Sequence, residues 1–268
     1  MRDITERENS PMRSLERALH ILSVLEESSC AIGVTDLGRA SQLSKATVLR
    51  MLSVLEKYGF AEKRQGRYRL GAAVLPLAHA YVLGNEMIRV ALPVLQQLVQ
   101  TSEETASLFI RLGFKRVLVE RVEGLRPLRF SLPIGERLPL HVGAGKVLAA
   151  AMPEKELKQM LDELGEMHLV NGRPLARKEL LAELDAIRRQ GYAVSHGERM
   201  LGIVAVAAPV IDTDGRTVAA VSLAGATERM AGGKIERLSI AVRDAAKMIS
   251  ERYNGGSPGR NTTRVRGG

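Results

Sequence analysis

The sequence predicts an α+β protein in two domains: an N-terminal winged helix-turn-helix and, beyond a linker helix, a C-terminal domain on a mainly antiparallel sheet. Three observations predict it. Residues 33–71 hold two short helical patterns that run directly into a basic, alternating segment. Beyond residue 104, strand-like runs give way to helical ones, then to two long strands and a closing helix, the order of an α+β fold. The 268 residues, 45% of them apolar, suffice for two cores, since one domain takes roughly 100–200 residues.

Residues 1–11 are polar and charged and are expected to form a disordered tail, with the winged helix-turn-helix over 12–72. Leu15, Ala18, Leu19, Leu22 and Leu25 keep helical spacing, and Ser14 is the expected N-cap. Cys30 is expected near the end of that helix as a small apolar residue. As the single cysteine, it excludes an internal disulfide and a thiolate zinc cluster. Thr35 is the expected cap of a second helix through Asp36, Leu37 and Ala40, and Gln42-Leu43 forms the turn into a third, capped by Ser44. In that third helix Val48, Met51, Leu52 and Leu55 stand at i, i+3, i+4 and i+7, one inward stripe. At about 100° per residue, Ala46, Arg50, Ser53 and Lys57 fall opposite, with Thr47 beside them. Tyr58-Gly59 ends the helix. Residues 60–71 then alternate and turn at Gln65-Gly66, as a two-stranded wing should.

The pattern is helical again to about residue 102, interrupted by Gly84 and Pro93, which places a linker helix over 73–90 and a second domain over 91–254. Within that domain strands are expected at 105–112, 116–122 and 128–134, and helices near 143–152, 154–164 and 177–190. Two long strands, 203–212 and 217–225, are joined by Asp214-Gly215, a strong hairpin signal, and a helix over 234–253 closes the domain. Residues 255–268 are Gly-rich and basic and are expected to be a disordered tail.

A formal charge of +9 and a pI near 9.9 favour a polyanionic partner. A helix that begins with small, hydroxyl and basic groups suits a major groove, which makes Lys45, Ala46, Thr47 and Arg50 the candidate DNA-reading residues. Arg64, Arg67 and Arg69 of the wing are candidates for backbone or minor-groove contacts. The alternatives are a solvated helix face for the former and an edge strand guarded by charge for the latter. The loop Val142-Gly143-Ala144-Gly145 before Lys146 offers N–H groups at a helix start, a natural place for a carboxylate, or else simply permits a tight strand-to-helix turn. It is no nucleotide phosphate loop: Leu140 stands where the first glycine is needed, and Val147 follows the lysine. No catalytic serine, zinc-helix or paired-cysteine motif occurs, so no enzyme, metal or cofactor is expected. His196 and Glu198 lack a ligand cluster around them, Glu198 is expected to fix its own loop, and His141 is expected to be a structural hydrogen-bonder. No apolar run is long enough to span a membrane, and residues 1–11 lack the apolar core of a secretion signal, so the cytoplasm is the expected compartment.

These residues together resemble the IclR family of bacterial transcriptional regulators over about 14–253. The N-terminal likeness lies in Val34-Thr35-Asp36-Leu37, Ser44 to Leu52, Tyr58-Gly59-Phe60 and Tyr68-Arg69-Leu70-Gly71. The C-terminal likeness lies in Leu138 to Lys146, Gly191-Tyr192-Ala193, Gly197-Glu198, Gly202 and Ala207-Ala208-Pro209-Val210. The resemblance implies a GAF/PAS-like effector-binding domain and a homodimer or dimer of dimers. It also implies a palindromic operator in double-stranded DNA, and a small organic or aromatic acid as effector. The family's pocket positions fall here on Gly143, Ala144, Ser195, Ala205, Ser222 and Ala224. Ala205 and Ala224 depart from members that bind a small polar acid, which carry polar groups there. With Ser195, Ser222 and the loop left as donors, a larger or more apolar effector is expected.

Overall fold

The computed structural model describes residues 12–28, 30–126, 132–230 and 232–256. The tail expected over 1–11, most of the strand expected at 128–134 and residues 257–268 of the expected C-terminal tail lie outside them. The chain forms two compact units that part between Gly84 and Asn85. No helix among the described residues is long and apolar enough to cross a membrane.

The first unit runs α1 (Arg13–Glu27), β1 (Ile32–Gly33), α2 (Val34–Ser41), α3 (Lys45–Lys57), β2 (Ala61–Arg64), β3 (Arg67–Leu70) and α4 (Val74–Gly84). Its core is built by Ile21 and Leu25 of α1, Leu37 of α2, the whole expected stripe of α3 (Val48, Met51, Leu52, Leu55), and Ala61 and Tyr68 of the wing. Three local expectations differ. Ser14 lies inside α1, whose N-cap is Met12. Thr35 lies within the first turn of α2, because the extended Gly33 already occupies the cap position. Cys30 follows α1 and is exposed, so it packs into nothing. The cap at Ser44 is as expected: its Oγ accepts the Thr47 N–H at 3.2 Å. Gln65 and Gly66 both take positive φ, 50° and 76°, between the paired Arg64 and Arg67, the backbone that a two-residue hairpin requires. The wing also gains a third strand, since β1 pairs with β3 through Ile32 and Tyr68. Two residues are too few to show an alternation in sequence.

The second unit begins when the helical run breaks at Asn85, whose side chain caps α5 (Glu86–Ser102) by accepting from Ile88 N–H at 3.2 Å. Then come β4 (Thr105–Leu112), β5 (Lys115–Val122), β6 (Arg137–Pro139), α6 (Gly145–Ala150), α7 (Glu154–Leu164), β7 (Met167–His168), β8 (Pro174–Leu175) and α8 (Arg177–Gln190). β9 (Ala193–His196), β10 (Ile203–Ile211), β11 (Thr217–Ala226), α9 (Thr227–Met230) and α10 (Lys234–Gly256) complete it, with Gly255 and Gly256 ending a helix rather than opening a tail. Six strands form one sheet in the order β6-β5-β4-β11-β10-β9, every neighbouring pair antiparallel. Side chains alternate between its faces. Phe109, Leu118, Ala193, Ala207 and Ala220 share a core with the apolar sides of α6, α7 and α8. The intervening residues, among them Leu108, Val206, Val221 and Leu223, are equally buried on the face left to α5 and α10. Burial on both faces is why β10 reads as an unbroken apolar run.

Candidate DNA-reading face and effector cavity

In the first unit the α3 stripe is consumed by the core, so its opposite side must face outward. Lys45, Ala46 and Arg50 are exposed and Thr47 is half-buried at the capped end. The Thr47 hydroxyl lies 2.9 Å from Ser44 Oγ and belongs to the cap. Lys45 and Arg50 make no ion pair or hydrogen bond among the described residues, which leaves two cations beside a helix N-terminus. The wing separates its three arginines. Arg67 Nε donates to the Ala31 carbonyl at 2.7 Å, and Arg69 Nε donates to Glu62 at 2.8 Å. Arg64, at the tip, has no such partner among the described residues and is exposed.

In the second unit the six sequence-predicted pocket residues, Gly143, Ala144, Ser195, Ala205, Ser222 and Ala224, line one cavity. The register explains why. Ser195, Ala205 and Ala224 lie side by side across β9, β10 and β11, and Ala207, Ser222 and Ser107 form the next row across β10, β11 and β4. These small side chains all point to the α6 face and stop at the β or γ atom, so a hollow remains above the sheet. The loop before α6 roofs it. The hollow holds about 70 Å³, roughly half of the ~150 Å³ that admits a benzene ring in an apolar protein cavity. This is smaller than alanines at 205 and 224 suggest. Phe109 and Arg116 reach into the same space from β4 and β5 and line it together.

Arg116 is the residue that the sequence reading missed. It is 2% exposed, and its guanidinium carbon stands 5.2 Å from the centre of the Phe109 ring. Its Nη1 donates to the Pro139 carbonyl at 2.6 Å and to the Val142 carbonyl. Burial first, then repulsion by Arg199, pushes the guanidinium down to about 9, against the pull of Glu198; it is still a cation at neutral pH. The glycines of the loop are shaped around it. A β-carbon at Gly145 would collide with Arg116 Nη1 and stand 2.7 Å from the Leu140 carbonyl, and one at Gly143 would lie 3.3 Å from Nη2. The signal was present in the alternation of β5, where residue 116 falls on the same face as Leu118.

The first N–H of the loop, that of Gly143, is not open to a ligand as expected. Glu198 Oε2 accepts the Gly143 N–H at 2.7 Å, and its Oε1 accepts from Lys146 Nζ. Lys146, whose side chain is 3% exposed, also donates to Glu183 at 2.8 Å. Glu198 thus fixes a loop, but that loop is the glycine turn rather than the one expected, its own. His141 adjoins the cluster. Burial, then Arg116 and Lys115, hold its imidazole below the usual histidine range, and its buried Nδ1 has no hydrogen-bond partner. Among the described residues no three histidine, cysteine or acidic side chains are grouped so as to hold a metal ion.

Comparison with known proteins agrees with this arrangement unit by unit. The IclR helix-turn-helix domain model matches residues 14–65, and that of the bacterial transcriptional regulator IclR C-terminal domain matches 79–251. The HTH-type transcriptional repressor AllR of Escherichia coli K12 is 32% identical over 241 residues, 89% of this chain and 89% of that protein. An IclR transcriptional regulator from Alicyclobacillus acidocaldarius superposes with a TM-score of 0.76 at 26% identity, covering 91% of this chain and all of that one. An IclR homologue from Microbacterium hydrocarbonoxydans, solved with 4-hydroxybenzoate, shares the fold with a TM-score of 0.67 at 22% identity over 90% of this chain and 99% of its own. The chain belongs to the IclR family of bacterial transcriptional regulators.

Proposed function

We propose that the N-terminal unit reads a promoter through Lys45, Ala46, Thr47 and Arg50 and braces on the backbone through Arg64, Arg67 and Arg69. In the same reading the C-terminal cavity takes a small organic acid that alters this binding. The observation that carries it is the convergence of Gly143, Ala144, Ser195, Ala205, Ser222 and Ala224 on one hollow in a regulator of this family. The homologue crystallised with 4-hydroxybenzoate supports an acid. The volume here favours an acid of few heavy atoms, and an aromatic one requires the walls at Leu132 or Met200 to move. The cavity senses its ligand and does not transform it. A regulator of this kind works in the cytoplasm, where its DNA is.

The protein acts as a homodimer, or a dimer of dimers, on a palindromic operator. Support comes from apolar surface left uncovered in the first unit. Leu75, Leu77 and Leu83 of α4 are each at least 60% exposed, and no residue of that helix is buried. Met12, Leu15 and Leu19 form a second bare stripe on α1. A second copy of the chain supplies the cover, as exposed apolar patches of this kind generally mark an interface. Effector binding then shifts the population of dimer arrangements and so the spacing of the two recognition helices, which requires different affinities for those arrangements.

Footprinting on the chain's own promoter region, with and without short-chain acids, tests the reading. A protected palindrome whose affinity changes with an acid is the expected result. Equal affinity for promoter and random duplex, in every condition, would remove it.

A further inference from the structure

We infer that Arg116 is the anchor for the effector's carboxylate, a role that rests on the acid-effector reading above. Most of the donors that the loop offered are spent, the Ala144 N–H being the exception among the described residues. Gly143 N–H is held by Glu198, while the N–H groups of Gly145, Lys146 and Val147 donate to the carbonyls of Val142, Gly143 and Ala144 at 3.1–3.3 Å. The helix behind them, α6, has six residues and little dipole of its own. An anion entering the cavity therefore meets the guanidinium as its strongest donor.

Arg116 is built for that partner. Its Nη1 is bound to two carbonyls, which fix the plane, and the Phe109 ring lies beneath it. Its Nε is buried with no hydrogen-bond partner, an expensive condition for a donor on a charged group. Its Nη2 borders Gly143, the roof of the cavity. Glu198, the carboxylate that shares the cavity, is engaged by Lys146 and Gly143 instead. A second cation, Arg199, also lines the wall. The alanines at 205 and 224 fit this picture. Neither alanine offers the cavity a polar group, whereas β5 contributes a charged fork, and a guanidinium matches a carboxylate in geometry as well as charge.

Calorimetric titration of the full-length protein tests the assignment. The probes are acetate, lactate, succinate and benzoate, each paired with its uncharged amide. At least one acid is expected to bind while its amide does not. R116M should weaken that acid by about tenfold or more, the scale of a lost charge-assisted hydrogen bond. Circular dichroism and cooperative melting establish that the variant is folded. R116K keeps the charge without the fork and should bind the acid about fivefold more weakly, and it decides the matter where R116M cannot be purified. Unchanged acid affinity in the folded variants overturns the role of Arg116 and leaves the acid-effector reading standing. If no acid binds the wild type, that reading falls and the role of Arg116 falls with it.

Discussion

The two functional regions handle charge in opposite ways. On α3 and the wing tip, Lys45, Arg50 and Arg64 stand exposed and without partners among the described residues. Around the cavity, Arg116, Lys146 and Glu198 are held by carbonyls, by a backbone N–H and by one another. An exposed cation costs the fold almost nothing, is screened by salt, and is available to a polyanion. A buried one must be supported on several sides, which makes its neighbours dependent on it. The exposed charges of α3 and the wing are therefore separable from stability, and the cavity charges are not.

The sharpest way to break that contrast is at Lys146. Lys146→Met leaves Glu198, itself nearly buried, without its cation, and should cost about 3–5 kcal/mol, the usual penalty for removing one partner of a buried pair. Thermal unfolding measures it, and a change of a degree or two would show that the cluster is not structural. Arg50→Ala should do the converse. It should weaken operator binding by about 1–3 kcal/mol if Arg50 reads a base edge, while leaving unfolding within about 0.5 kcal/mol of wild type. A gel-shift titration beside a melting curve checks both halves.

Within the wing the contrast is finer. Arg64→Ala should reduce operator affinity several-fold and lower its salt dependence by about one ion. Arg69→Ala should do less, because Arg69 is already paired with Glu62. Equal losses at both would mean that the internal pair opens on DNA. The smallest effect concerns His141. Its pKa lies below that of the unfolded chain, so between the two values the unfolded state binds more protons, and stability falls as the pH drops through about 6.5. His141→Gln should flatten the melting temperature between pH 7.5 and 5.5, and parallel profiles for the two proteins would exclude the histidine.

Much of this was legible because it is local. The α3 stripe, the cap at Ser44, the Gln65-Gly66 turn, and the helices at 154–164 and 177–190 follow from residues a few positions apart. The boundaries that differed are also instructive. Ser14 and Thr35 have the right chemistry for caps, but each helix begins two residues earlier, with Met12 and Gly33 in the cap positions. The strand β1 was invisible because its partner lies 36 residues downstream.

Periodicity alone thus determined the outward side of α3, since four apolar residues at helical spacing leave only one face for Arg50. The family likeness, also carried in sequence, indicated which six residues would border a hollow. Only the folded sheet decided what that hollow is like. Residues 107, 116, 143, 195 and 222 meet there through strand register and one turn, and the burial of a guanidinium against Phe109 depends on all of them at once. Neither the occupation of the loop by Glu198 nor the reason for glycine at 145 can be read along the chain, because each is a contact across distance, and close packing settles which contacts exist.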